Sequence, residues 1–363
     1  MKKVRVLVID DSSLVRKLLT RLLQSDPSID VVGTAPDPYV AREKIKQLEP
    51  DVLTLDVEMP RMDGITFLRN LMRLHPMPVV MLSAHTGAGA AATLEALELG
   101  AIDFVRKPTG DVAHDLELYT EEIITKVKAA ATARVDTSGT ETVPGHHRAR
   151  KRTRPNSTPV RTGGVFSAES LIAIGASTGG TEAIKDVLQA LPAACPGVLV
   201  VQHIPAAFSG PFANRLNSIS DLTVVEAEDG AKILPGHAYI APGGRHLEVE
   251  RDQRGYRCRL SDESPVNRHK PSVDVLFESV ASRAGRHAVG VLLTGMGCDG
   301  AQGMKRLQEM GAPTIAQDEP SSVVWGMPGA AVKIGAADDV LALHEIAEAI
   351  LTLSAPRHGK RSA

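Results

Sequence analysis

Asp10 and Asp11 follow the β-branched run Val4–Ile9, and Asp56 falls at the end of a second apolar run, 51–57. A lone acid at a strand end often only caps the next helix. Several together mean more, because an open parallel sheet turns the carboxyl ends of its strands toward one crevice. Three carboxylates there repel one another and stay ionised only beside a cation. An oxygen-lined site with open positions suits Mg²⁺. Ser83 and Lys107 close two further strand-like runs, 78–83 and 102–106, so Lys107 can reach the same crevice.

The second half carries a different chemistry. Leu171–Ile174 reads as a strand, Gly175-Ala176-Ser177-Thr178-Gly179-Gly180 as a glycine-rich turn, and a helical pattern follows. The turn fits the G-x-S-x-G nucleophile elbow. It also approximates a dinucleotide fingerprint through Gly175, Ser177 and Gly180, but a serine replaces the middle glycine and hinders a pyrophosphate. That site also needs an acid near the end of the next strand. The next strand ends Val201-Gln202-His203 instead, with a histidine that would face the serine's crevice. A third strand-end loop, Leu293–Gly300, supplies Asp299. Ser177, His203 and Asp299 are therefore candidates for nucleophile, base and orienting acid. Their order, Ser-His-Asp, differs from the Ser-Asp-His of the α/β-hydrolase fold. Pairing Asp299 with His344 would restore that order, but His344 sits inside a helical pattern.

The elements that must place these residues alternate. Residues 1–130 show strand patterns at 4–9, 29–34, 51–57, 78–83 and 102–106, with helical patterns between them and at 115–130. This predicts a parallel sheet covered on both faces. Residues 131–168 are rich in Thr, Ser, Gly, Pro and charge, including His146-His147-Arg148 and Arg150–Arg154, and read as a flexible basic linker. Residues 169–353 resume the α/β pattern. Runs 246–250 and 256–260 flank Asp252-Gln253-Arg254-Gly255 as a hairpin, and residues 354–363 read as a tail. The expected fold is thus α/β: a first unit with a parallel sheet covered on both faces, then a doubly wound, mostly parallel second unit with a β-hairpin.

Composition removes alternatives. A net charge of -2 argues against a chain that primarily binds polyanions, and 3% aromatics leaves few stacking platforms for single-stranded nucleic acid. Three cysteines in no CxxC pairing argue against a disulfide framework and fit a reducing cytosol. The basic N-terminus Met1-Lys2-Lys3 resembles a signal peptide, but its short apolar run stops at Asp10-Asp11. No apolar run approaches a membrane span.

Ile9-Asp10-Asp11-Ser12, Leu55–Pro60 with Met62-Asp63-Gly64, Met81-Leu82-Ser83-Ala84 and Asp103–Pro108 resemble the two-component receiver domain over residues 1 to about 125. The resemblance implies a flavodoxin-like fold for this unit and phosphorylation of Asp56. It also implies Mg²⁺ on Asp10, Asp11, Asp56 and the Glu58 main-chain carbonyl, with Ser83, Phe104 and Lys107 as switch residues. Phe104 lacks the hydroxyl that some aromatic residues bring there, and Lys107-Pro108 resembles the family's cis peptide. In the second half, Ile174–Gly180, Val201–Pro205, Tyr239–His246, His269–Asp274 and Leu293–Gly300 resemble the catalytic domain of the CheB protein-glutamate methylesterases.

That second resemblance implies Ser177 as nucleophile, His203 as base and then acid, and Asp299 orienting His203. Main-chain N–H groups at Thr178 and Met296 would form the oxyanion hole. It implies hydrolysis of glutamyl methyl esters on cytoplasmic domains of chemoreceptors, without a cofactor for the ester reaction, and some relatives also deamidate glutamine. A histidine kinase would donate the phosphoryl group, and phosphorylation would relieve a receiver packed over the crevice. The expected setting is the cytoplasm, without nucleic acid or membrane insertion. A DNA-binding regulator would need a short helical output domain with a basic recognition helix. A catalytically silent adaptor would leave Ser177 a mere helix cap. Tyr239–His246 and His269–Asp274 have no role readable from spacing. Cys298 reads as an incidental neighbour of Asp299, and Trp325 as core.

Overall fold

The structure is a computed structural model that describes residues 2–83, 87–107, 116–133, 166, 169–253 and 255–355. The basic cluster at 146–154, the tail from Pro356 and the Lys107–Pro108 bond lie outside the described residues.

The first sheet is built from β1 (Val4–Ile9), β2 (Ile29–Ala35), β3 (Val52–Asp56), β4 (Val79–Ser83) and β5 (Asp103–Arg106). Its order is β2-β1-β3-β4-β5 and every pairing is parallel. Strands β3 and β4 are buried throughout, as strands covered on both faces must be. The helices are α1 (Ser13–Leu23), α2 (Pro38–Leu48), α3 (Gly64–Leu74), α4 (Gly87–Glu98) and α5 (Leu116–Thr132). The side chains of Ser12, Asp37 and Asp63 cap α1, α2 and α3 by accepting main-chain N–H bonds.

Gly64 stands where no side chain fits. A Cβ there would lie 1.9 Å from the Asp56 carbonyl oxygen, a backbone atom. Gly64→Ala is therefore expected to shift the end of β3 and destabilise the protein by about 1–3 kcal/mol. A melting curve and the rate of phosphoryl uptake at Asp56 check this, and both should fall.

The second unit contains β6 (Leu171–Ala176), α6 (Gly180–Ala190), β7 (Gly197–Gln202), α7 (Ala206–Ile219), β8 (Thr223–Glu226), β9 (Lys232–Ile233), β10 (His237–Ile240), β11 (His246–Asp252) and β12 (Gly255–Ser261). It continues with α8 (Val273–Arg283), β13 (Ala288–Leu292), α9 (Ala301–Glu309), β14 (Thr314–Gln317), α10 (Met327–Lys333), β15 (Asp339–Leu341) and α11 (Leu343–Ser354). The main sheet, β15-β14-β13-β6-β7-β10-β8, is parallel at every pairing, and β11-β12-β9 form a small antiparallel sheet. The chain enters at central β6, moves to β7 on one side and later places β13 on the other. That is a topological switch point, with a crevice beyond the strands' carboxyl ends.

The sequence patterns miss β8, β9, β15 and α10. β9 has two residues and β15 three, and β8 and β15 are exposed edge strands, so none carries a full apolar period. α10 has seven residues and opens Met327-Pro328-Gly329, a combination that reads as a turn.

The two units share an apolar contact. α4 packs on α6 and α7, and the rings of Phe104 and Phe208 lie 4.5 Å apart.

Candidate active site

β6 and β7 are neighbours in register, with Ala176 paired to Gln202, so the next residues, Ser177 and His203, leave the sheet side by side. The His203 main-chain N–H donates to Ala176 O at 3.1 Å, and Gln202 Nε2 donates to Ser177 O at 2.8 Å. On the other side the Ser177 N–H donates to Thr294 O at 3.0 Å, and Thr294 Oγ1 donates to Thr178 O at 3.0 Å. A Cβ on Gly295 would lie 2.9 Å from Ser177 Cβ, so only glycine lets that loop come so close. The turn after Ser177 needs Gly179 at φ 75°, the left-handed region, before α6 starts at Gly180.

His203 is nearly buried and its Nε2 lies 2.8 Å from Asp299 Oδ2. Its Nδ1 is buried and has no hydrogen-bond partner among the described residues. Asp299 is 2% exposed and lies at the N-terminus of α8. Its Oδ2 also accepts from the Val273 N–H at 2.7 Å, and its Oδ1 accepts from Ser272 Oγ at 2.7 Å and Asn267 Nδ2 at 2.8 Å. Burial alone would raise the Asp299 pKa. The donors, His203 foremost, together hold it well below the usual carboxylate range. The acid is thus fixed as an anion, and the ring bonded to it carries its proton on Nε2 and its lone pair on Nδ1.

A second histidine lies flat on the first. The His269 and His203 rings are 3.6 Å apart and 12° from parallel. Burial, then the neighbouring His203, lowers the His269 pKa to about 3. An unfolded histidine titrates near 6.5, so between those values the unfolded chain binds a proton that the folded chain refuses. Stability is therefore expected to fall as pH drops from about 6.5 toward 3, by up to about 1.4 kcal/mol per unit. Denaturant midpoints across that range check the slope, which should be reduced in His269→Phe.

The first unit gathers its own residues. Carboxylate oxygens of Asp10, Asp11 and Asp56 lie within 4.8 Å of one another. Lys107 Nζ lies 2.9 Å from Asp10 Oδ2 and 2.6 Å from Asp56 Oδ2. Among the described residues neither oxygen has an aligned hydrogen bond, although both are buried. Burial pushes Asp56 up to about 6 against the pull of Lys107. Such a group is short of positive charge and rich in oxygen ligands, which fits a divalent cation. The Glu58 N–H donates to Asp56 Oδ1 at 3.1 Å. Ser83 is buried at the end of β4 and accepts from Thr93 Oγ1 at 2.7 Å. Phe104 is buried against Phe208.

Comparison with known proteins decides the family. The CheB methylesterase model matches residues 172–350 and the response regulator receiver domain model matches 6–115. A Hydrogenovibrio crunogenus protein named protein-glutamate methylesterase/protein-glutamine glutaminase is 57% identical over 97% of this chain and 99% of its own. A Xanthomonas campestris protein of the same name, numbered 1, is 56% identical over 97% and 98%. The chain belongs to the CheB methylesterase family. A crystal structure of the Thermotoga maritima CheB methylesterase catalytic domain matches with a TM-score of 0.50 at 37% identity, covering 51% of this chain and 98% of that one. The chain is accordingly a methylesterase joined to a receiver, and not an adaptor. No helix among the described residues is long and apolar enough to cross a membrane.

Within this CheB family member the receiver touches the residue next to the serine. Thr178 Oγ1 donates to Asp103 Oδ2 at 2.7 Å. Lys126 on α5 lies 3.3 Å from Asp103 Oδ1 and donates to Phe104 O at 2.6 Å. Arg215 on α7 pairs with Glu98 of the receiver and, at 2.8 Å, with Glu182 on α6. Arg268 pairs with Glu121.

Gln202, Asn267, His269, Ser272 and Thr294 all bear on the site, yet spacing alone did not single them out. Their roles come from loops that meet only in the folded chain. Adjacency to His203 is the signal that points to Gln202. Trp325 donates through Nε1 to Gln317 O at 2.9 Å and backs the Gly295 loop through a β-bridge. His344 lies in α11, as its helical pattern required.

Proposed function

We propose that residues 169–353 hydrolyse glutamyl methyl esters on the cytoplasmic domains of chemoreceptors, and deamidate glutamine there, with Ser177, His203 and Asp299 as the triad. The observation that carries this reading is the His203–Asp299 bond, on the strand end beside Ser177, with an Nδ1 that has no hydrogen-bond partner among the described residues. His203 Nδ1 takes the Ser177 hydroxyl proton as Oγ attacks the ester carbonyl. The N–H groups of Thr178 and Met296 stabilise the oxyanion, and neither donates to the backbone among the described residues. His203 returns the proton to the departing oxygen and methanol leaves. Water, deprotonated by the same nitrogen, then releases the glutamyl side chain and restores Ser177. For glutamine the group that leaves is ammonia.

Residues 1–130 form the regulatory unit and 131–168 the linker. A histidine kinase supplies the phosphoryl group to Asp56. Asp10, Asp11, Asp56 and the Glu58 carbonyl would hold Mg²⁺, whose charge would offset that of the transferring oxygens. Lys107 adds a fixed positive charge, and Ser83 offers a hydroxyl to the new phosphoryl group. The Asp103–Thr178 bond and the Phe104–Phe208 contact support inhibition by the unphosphorylated receiver. The chain acts in the cytoplasm, where these substrates lie.

The test presents receptor domains in glutamyl-methyl-ester and glutamine forms. Wild type should release methanol from the first and ammonia from the second, and Ser177→Ala neither. Equal release by both proteins would refute the assignment.

A further inference from the structure

We propose that the turn Val266–His269 is a positioning device for the triad, with Asn267 fixing the acid and the His269 ring fixing the base. The inference rests on the triad assigned above and adds two residues to it.

The turn is tightly specified. Val266 N–H donates to His269 O at 3.1 Å and His269 N–H donates to Val266 O at 2.9 Å. Between them Asn267 and Arg268 have φ of 51° and 66°. Two successive left-handed residues between paired ends make a type I′ turn, and asparagine is among the non-glycine residues that accept this backbone best. This conformation aims the Asn267 and His269 side chains at two parts of one site.

Asn267 has two amide hydrogens and uses both on carboxylates. Nδ2 lies 2.8 Å from Asp299 Oδ1 and 2.7 Å from Asp274 Oδ2. Asp274 is itself anchored, since its Oδ1 accepts from the Gly303 N–H at 2.7 Å. Asn267 thus ties the triad acid to the α8–α9 pair, on the carboxylate oxygen opposite the one that meets His203. A residue needed only for the turn would not have to be an amide, since glycine adopts this backbone more readily.

His269, two residues on, covers one face of His203 at 3.6 Å. Asp299 holds the ring's edge through Nε2. Edge and face together restrain the tilt of the imidazole. Neither residue touches the reacting atoms in this account. Both act through the group they hold.

The experiment uses the full chain with acetyl phosphate and Mg²⁺, and measures kcat and KM for methanol release from methyl-esterified receptor. Asn267→Gly keeps the turn and removes the amide. It should lower kcat about tenfold to a hundredfold, the weight of a hydrogen bond to a charged group, with KM within about twofold of wild type. His269→Phe keeps a flat ring and should stay within about threefold of wild type, whereas His269→Ala should fall about tenfold. The low-field proton resonance of the His203–Asp299 bond should persist in His269→Phe and weaken in Asn267→Gly. A thermal melting curve and far-UV circular dichroism spectrum like those of wild type in each variant show that the second unit is folded. Wild-type kcat in Asn267→Gly, or an effect on KM alone, would overturn the role of the amide. His269→Phe as slow as His269→Ala would overturn the role of the ring face. Activity in Ser177→Ala would sink the triad itself, a failure distinct from either.

Discussion

Ser177→Ala is expected to lower kcat for methanol release by about a millionfold, the usual scale for loss of a triad nucleophile. Alanine removes only Oγ, and the backbone bonds that shape the turn involve Ser177 N and O, so they persist. The methyl group of alanine also suits the space left by Gly295. Stability should therefore stay within about 1 kcal/mol of wild type, as for substitutions that leave no cavity and no orphaned group. Receptor binding should also survive, because the oxyanion donors and the crevice walls are untouched. Unchanged KM-type binding with lost turnover, read by receptor pull-down beside methanol release, checks both parts.

Asp299→Asn is expected to cost about ten-thousandfold in kcat, as loss of the orienting acid does in triads generally. Asp299 is surrounded by donors: His203 Nε2, Val273 N–H, Ser272 Oγ and Asn267 Nδ2. An asparagine must point its own NH₂ at some of them. If it faces His203, the ring moves its proton to Nδ1, the nitrogen Ser177 needs as a base. If it faces Ser272 and Asn267, two donors meet a donor. Either way an uncharged residue no longer offsets the imidazolium formed during attack. The loss should be greatest near neutral pH and partly relieved at high pH, where hydroxide competes as base. A kcat profile from pH 6 to 10 checks the sign.

The two clusters were legible in the sequence for a topological reason. Asp10, Asp56, Ser83, Ser177 and His203 all stand at ends of apolar runs, and parallel sheets turn such ends to one edge. The structure brings them together as that pattern requires. What the pattern does not carry is orientation. Nothing in Val201-Gln202-His203 says that Nε2 rather than Nδ1 meets Asp299, because this depends on α8 presenting its N-terminus from seventy residues downstream. The roles of Asn267 and His269 are unreadable from spacing for a similar reason: their turn lies more than sixty residues from His203 and meets it only in the folded chain. The short edge strands β8, β9 and β15 had too few buried positions to show a period. Phe104 was readable as the aromatic switch position, but its contact with Phe208 joins two units separated by a linker and leaves no trace in local sequence.

Phosphoryl control of the serine is the claim that joins the two halves, and one assay tests it most directly. Initial rates of methanol release from methyl-esterified receptor are measured for wild type, Asp56→Asn and Ser177→Ala, each with and without acetyl phosphate and Mg²⁺. The account predicts a low rate in wild type that rises with phosphodonor, a low rate in Asp56→Asn that does not rise, and no release from Ser177→Ala in either condition. A wild-type rate that ignores the phosphodonor while Asp56 is demonstrably phosphorylated, or release that persists in Ser177→Ala, would contradict it.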